Sequence, residues 1–216
     1  MKFSATPSSW PALLLGLLVT IYWLRVLQMV MRTRLTAGRA ANFVPPEPLG
    51  RLLRLVWIPV VVLWALVPIF TSLLVAPQQA APILLRPIAG LYGGDRILGW
   101  TAVATALAAF GLTWVCWRRM GTSWRMGIDP NERTQLIFNG PYAYVRHPIY
   151  ALSSLLMLAT LATVPGIFMA VIALLHLALL QWEARREERY LLSLHGPAYA
   201  NYIAQVGRFF PRSRRQ

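Results

Sequence analysis

A chain of 216 residues that is 57% hydrophobic and only 13% charged, with a mean hydropathy of +0.51, excludes an ordinary water-soluble domain, where charged residues run near ~25%. Disorder is excluded by the same hydrophobicity, and a disulfide or paired-cysteine zinc framework by Cys116 being the only cysteine. The formal charge of +14, from 21 Lys+Arg against 7 Asp+Glu, would suggest a nucleic-acid partner in a soluble protein; in an apolar chain it asks which side of a bilayer holds the arginines.

Pro11 to Met31 forms the first apolar run, long enough to cross a ~30 Å hydrocarbon layer. A cleaved signal peptide would have a shorter apolar core and a small-residue site after it, whereas Met31 leads into Arg32 and Arg34. Arg25, near the end of the run, is expected to snorkel to the interface. Leu52 to Ala76 is the second run, and its Pro59 and Pro68 are tolerable where neighbouring helices satisfy the freed carbonyls. A Pro- and Gly-rich stretch follows, which reads as an external loop with one short interfacial turn around Ile83 to Leu91. Ile97 to Trp117 is the third run, with Ala102, Ala106 and Ala109 spaced to let another helix approach closely.

Ile149 to Trp182 is apolar throughout, but Pro165-Gly166 divides it into halves of about 16 residues, or ~24 Å of helix each. The expectation is a helical hairpin of two short spans rather than one kinked helix. Its second helix has no breaker before Gly196 and should run into the aqueous phase as far as about Leu194. The predicted fold is therefore an all-α, polytopic integral membrane protein of about five transmembrane helices, N-terminus outside and C-terminus cytoplasmic. Alternate loops then hold all of the 21 basic residues except Lys2, Arg25, Arg86 and Arg96, the partition that a cytoplasmic assignment of those loops requires. Two parts are distinguished: residues 1–96, with two spans and the external loop, and residues 97–216, with the third span, the hairpin and the cytoplasmic tail. The location implied is a bacterial inner membrane.

Chemistry concentrates at the cytoplasmic end of the hairpin. Gly140-Pro141-Tyr142-Ala143-Tyr144-Val145-Arg146-His147-Pro148-Ile149-Tyr150 is rich in polar and aromatic side chains, with Pro148 suited to a first helical turn. The same residues would also serve as an interfacial anchor. On the fifth helix, Leu180, Ala184, Glu187, Glu188 and Leu191 share one face, with Arg185, Arg186 and Arg189 largely off it. Carboxylates on an apolar stripe either belong to a solvated charge run or face a cationic partner, for which Arg146, His147 or a cationic ligand qualifies. Past Gly196-Pro197, the tail with Tyr199, Tyr202, Arg208, Phe209 and Phe210 is amphipathic, to lie on the membrane or to fold back over this mouth. His176 should face the bundle and bond a carbonyl, His195 should cap the helix beside Gly196, and Cys116 should be a packing residue. The three histidines lack metal-ligand spacing, and neither a dinucleotide-binding glycine motif nor a GxSxG elbow is present.

Gly140-Pro141-Tyr142, Arg146-His147-Pro148 with Tyr150, Glu187-Glu188 with Leu191, then Gly196, Tyr199, Tyr202 and Arg208 to Pro211 resemble the C-terminal signature of the isoprenylcysteine carboxyl methyltransferase and phospholipid methyltransferase superfamily. Ser123-Trp124-Arg125 is also similar to bacterial members, whereas Leu152 stands where the family usually has glycine. The resemblance covers about residues 97 to 212. It implies S-adenosyl-L-methionine as cofactor, held by Tyr144, Arg146, His147, Pro148, Tyr150, Glu187, Glu188, Tyr199 and Tyr202, and a lipophilic acceptor entering from the bilayer. It further implies that Arg146 and Arg208 orient a carboxylate acceptor, which needs no base; an amine acceptor would need one, such as Glu188 or His147. No metal or nucleic acid is implied. The acceptor expected first is an isoprenylcysteine-like or other carboxylate or thiol, then an aminophospholipid. Two other classes stay open, an NADPH-dependent membrane reductase, whose chains end in a similar Arg-His-Pro motif, and a non-enzymatic transporter or scaffold.

Overall fold

The computed structural model describes residues 10–37, 48–73, 95–121, 124 and 136–212. The expected turn at Ile83 to Leu91, together with Ser123 and Arg125, lies outside them. Six α-helices make up the described chain: α1 (Trp10–Ala37), α2 (Pro48–Leu73), α3 (Arg96–Met120), α4 (Pro148–Thr163), α5 (Ile167–His195) and α6 (Pro197–Gln205), with a 3-10 turn at Gly140–Ala143 before α4. The protein is all-α and polytopic: α1, α2, α3 and α5 are long and apolar enough to cross a membrane, and α4 is a shorter apolar helix of 16 residues. The break between α4 and α5 falls on Val164 to Gly166, where the Pro165-Gly166 pair stands in the sequence.

Local chemistry sets the helix ends. Asp95 caps α3, its carboxylate accepting from the Ile97 amide at 2.7 Å, which satisfies one of the orphan donors of a first turn. Pro148 occupies the first turn of α4, where a missing N–H costs nothing. Gly196, at φ 52°, ends α5 by donating its N–H to the Leu192 carbonyl and leads directly into α6. A side chain would be strained in that left-handed conformation. The cap is therefore Gly196, and His195 is the last helical residue. α2 continues through Pro59 and Pro68, with Ser72 and Thr71 hydroxyls donating to the Pro68 carbonyl in its last turn.

The helices pack through small residues and a polar-tipped aromatic core. Gly16 of α1 lies against α2, where a Cβ would come within 2.6 Å of Ile69 Cγ1 and 3.1 Å of its backbone nitrogen. Ala102, Ala106 and Ala109 are buried on α3, which packs most extensively on α4. Trp64 of α2 is fully buried and its indole donates to Thr160 Oγ1 of α4 at 3.0 Å, the partner a buried Trp N–H needs. Tyr22, Phe110 and Trp117 meet ring to ring between α1 and α3, and Cys116 is buried as a packing residue. Arg25 does not simply reach outward: its guanidinium lies over the Trp114 ring at 4.7 Å and donates to Gln28. His176 faces the bundle as expected, but its partner is the Ser153 hydroxyl, 3.1 Å from Nε2, rather than a carbonyl.

Candidate active site

The end of the bundle formed by the starts of α2 and α4 and the far end of α5 is closed by the tail. Gly207 pairs with Val145 in a short parallel bridge, and the Arg146 and His147 amides donate to the Gly207 and Arg208 carbonyls at 2.8 and 3.1 Å. Only glycine fits there, since a Cβ on Gly207 would stand 1.9 Å from the Phe210 carbonyl oxygen. The tail thus folds back over the mouth instead of running along the membrane surface. Tyr202 reinforces the closure by donating to the Tyr142 carbonyl at 2.6 Å; burial pushes its phenol up to about 12.

Glu188 is the centre of a buried ionic cluster. Its Oε1 accepts from Arg146 Nε at 3.0 Å and from Arg208 Nε at 2.9 Å, and its Oε2 from Arg208 Nη2. Arg146 is itself used up by Glu188 and by the Ile203 and Val206 carbonyls. Such charge-assisted contacts satisfy a carboxylate that would be costly to bury alone. The Glu188 hydrogen bond holds the Arg208 guanidinium above its ordinary range.

Glu187, one residue away, faces a different way. One of its oxygens accepts from the Tyr150 hydroxyl and the other lies 3.4 Å from His147 Nδ1. His147 stacks on Tyr150, rings parallel at 5.4 Å, and meets Phe209 edge-on. Burial alone would lower the His147 pKa, but the carboxylates of Glu187 and Glu188 outweigh it and raise the imidazole above the ordinary histidine value. Its Nε2 is 3.3 Å from Glu188 Oε1, near enough for charge attraction yet not aligned for a hydrogen bond, and so remains a buried polar atom without a hydrogen-bond partner.

A cavity of about 280 Å³ opens beside this cluster. Of the residues singled out from sequence, Arg146, His147, Pro148, Tyr150, Glu187, Tyr199 and Tyr202 line it. Glu188 and Arg208 stand behind the wall, and Tyr144 is turned out to solvent, 69% exposed. Leu152 is half-buried on α4 and does not line the cavity. The wall also holds residues that sequence reasoning missed or passed over. Glu183 and Arg186 form a two-point ion pair at 2.9 and 3.1 Å, and Arg186 lies over Trp182. Glu183 sits one turn before Glu187 on the same stripe, a signal that was available. Arg54 and Trp57 come from α2, and Tyr22, Trp23 and Val26 from α1, where nothing in the local sequence marks them.

The fold and site define a class: a polytopic α-helical membrane protein with a buried ionic cluster and an aromatic-walled cavity at one end of its bundle. Residues 102–193 match the family model described as "Isoprenylcysteine carboxyl methyltransferase (ICMT) family". Among curated proteins the chain is similar to the nickel-cobalt-cadmium resistance protein NccN of Alcaligenes xylosoxydans xylosoxydans, 31% identical over 113 residues, covering 52% of this chain and 53% of that protein. It is also similar to the cobalt-zinc-cadmium resistance protein CzcN of Cupriavidus metallidurans, 32% identical over 124 residues and covering 56% of each. The chain spans about half the length of the curated relatives it matches. No solved structure matches it.

Proposed function

We propose that the protein is an integral membrane methyltransferase that uses S-adenosyl-L-methionine to methylate a lipophilic acceptor. The observation that carries the reading is the position of Glu187, Tyr150 and His147 on the wall of one cavity whose other wall comes from α1 and α2. The donor set suits the cofactor. Glu187 is an acid for an ammonium or for ribose hydroxyls, the unaligned His147 Nε2 is a buried polar atom at the wall, and Tyr150, Tyr199 and Tyr202 offer faces to adenine and to a cation. Arg54 and Arg186 add guanidinium groups to the same wall, a chemistry suited to a carboxylate. When bound, the cofactor supplies an electrophilic methyl group on a sulfonium.

The chain's own part is then positioning and exclusion of water. Arg146, Arg208 and Glu188 act as positioning residues, a clasp that locks the tail against the start of α4 and holds Glu187 and His147 in place. The first two spans shape the acceptor side, and the arginine distribution supports a cytoplasmic mouth. The reading predicts that radiolabelled S-adenosyl-L-methionine binds the purified protein in lipid nanodiscs, and that Glu187→Ala or His147→Ala weakens binding at least tenfold. Wild-type protein that fails to bind it in both detergent and nanodiscs would refute the reading. Comparing lipid extracts from cells with and without the protein, by mass spectrometry, would then reveal a species shifted by one methyl.

A further inference from the structure

The inner half of the cavity is chemically unlike its mouth. The cationic and acidic wall residues stand together: Arg54 is close enough to Glu183, Arg186 and Tyr150 to interact with them electrostatically, and Glu183 and Glu187 supply the opposing charge. One helical turn deeper along α4, a rise of about 4.5 Å, the wall changes to Ser153 with Tyr22, Trp23 and Val26 of α1 and Trp117 of α3. No member of that second set is ionisable near neutral pH. It is nevertheless polar at fixed points. Ser153 is 3% exposed and its hydroxyl is held by His176 Nε2 at 3.1 Å; the Tyr22 phenol, also buried, lies beside Ser153. The Trp23 indole N–H is buried without a partner.

An ionised head entering this lobe would lose its hydration while its nearest counter-charges stay a helical turn away at the mouth, which disfavours it. An uncharged head that can accept and donate one hydrogen bond would be matched, and its apolar chain would lie among the Trp23, Trp57 and Trp117 rings. Resting on the methyltransferase reading, we infer that the inner lobe is the acceptor subsite, that Ser153 and Tyr22 are its specificity-determining contacts, and that the acceptor is a lipophilic molecule with an uncharged protic head, a thiol, phenol or alcohol, rather than a carboxylate. The proton released as the head gains its methyl group is taken up by the Glu187 carboxylate on the same cavity wall, and neutral S-adenosylhomocysteine leaves. His176 is a positioning residue: fully buried and away from the wall, it fixes the Ser153 rotamer so that the hydroxyl is presented to the cavity at no further entropic cost.

The test compares two probes of equal chain length, dodecanethiol and dodecanoate, against the full chain in phosphatidylcholine nanodiscs at pH 7.5, with binding read by native mass spectrometry and S-adenosylhomocysteine titrated in parallel. Dodecanethiol should bind at least tenfold more tightly than dodecanoate. Ser153→Ala and Tyr22→Phe should each weaken dodecanethiol about fivefold, the worth of one hydrogen bond, while leaving S-adenosylhomocysteine binding unchanged. Equal or tighter binding of dodecanoate overturns the inference, as does wild-type affinity for dodecanethiol in both variants. Tyr22→Phe keeps the packing volume, so it remains informative should Ser153→Ala fold poorly. Failure of S-adenosylhomocysteine to bind would instead strike the methyltransferase reading, and the thiol preference would be judged on its own arm.

Discussion

Glu188→Ala is expected to be the most damaging single change at the clasp. The substitution strips a common acceptor from Arg146, whose side chain is 8% exposed, and from Arg208, which is 29% exposed, and it removes the second carboxylate beside His147. Arg146 keeps its two carbonyl acceptors on α6 and the tail, so its charge is not wholly abandoned, and Arg208 can turn to water. Breaking a buried pair by deleting one partner costs about 3–5 kcal/mol; with these two escapes the lower end, about 3 kcal/mol, is the expected loss. Most of it should appear as release of the tail, because the surviving backbone contacts there are two hydrogen bonds at a bridge that Glu188 no longer holds shut. Two measurements check this: SDS titration in mixed micelles, for the global loss, and limited trypsin digestion, for cleavage at Arg208 and Arg212. Glu188→Ala should be cleaved at these positions at least tenfold faster than wild type. A variant within about 0.5 kcal/mol of wild type, with its tail still resistant, would refute the clasp.

Gly207→Ala should mimic it, since the new Cβ collides with the Phe210 carbonyl 1.9 Å away; trypsin sensitivity of the tail with unaltered far-UV circular dichroism is the expected signature. His147 gives a pH dependence. Its folded pKa is raised, so the folded state holds the proton longer than the unfolded chain, and its contribution is fully present below the ordinary value of about 6.5. That contribution is lost as pH rises through the elevated folded pKa. His147→Gln should therefore flatten the stability-versus-pH curve above pH 6.5, and an unchanged slope in thermal melts would contradict the assignment. Trp64→Phe deletes the link to Thr160 and should cost about 1–2 kcal/mol, measured by the same SDS titration.

Much of the architecture was legible because bilayer physics leaves few choices. The apolar runs, the Pro165-Gly166 break, the continuation of α5 beyond Trp182 and the buried stripe carrying Glu187 and Glu188 all follow from periodicity and from residues that stop helices. What sequence alone does not resolve is direction. Glu187 and Glu188 are neighbours of identical chemistry, yet one faces the cavity and the other is buried behind it, because adjacent helical positions differ by about 100°. Tyr144 belongs to the same aromatic motif as Tyr142 and Tyr150 but lies on the outward side of the turn after the 3-10 segment. Arg54 and Trp57 reach the site through the packing of α2 on α1 and α5, long-range contacts without local signature. Gly207 is invisible for another reason: its requirement arises from the Phe210 carbonyl in a folded-back tail, not from a positive φ.

The parallel bridge between Val145 and Gly207 also constrains the order of assembly. Arg146 is completed by a carbonyl sixty residues further along the chain, so its full set of partners cannot form until the segment after α6 has been made. During synthesis the spans must therefore hold together on contacts that do not need the tail, among them the Gly16–Ile69 approach, the Trp64–Thr160 link and the Ser153–His176 pair. Until then Glu188 can pair with Arg146 but not with Arg208. The tail therefore closes the site last, onto helices that are already packed.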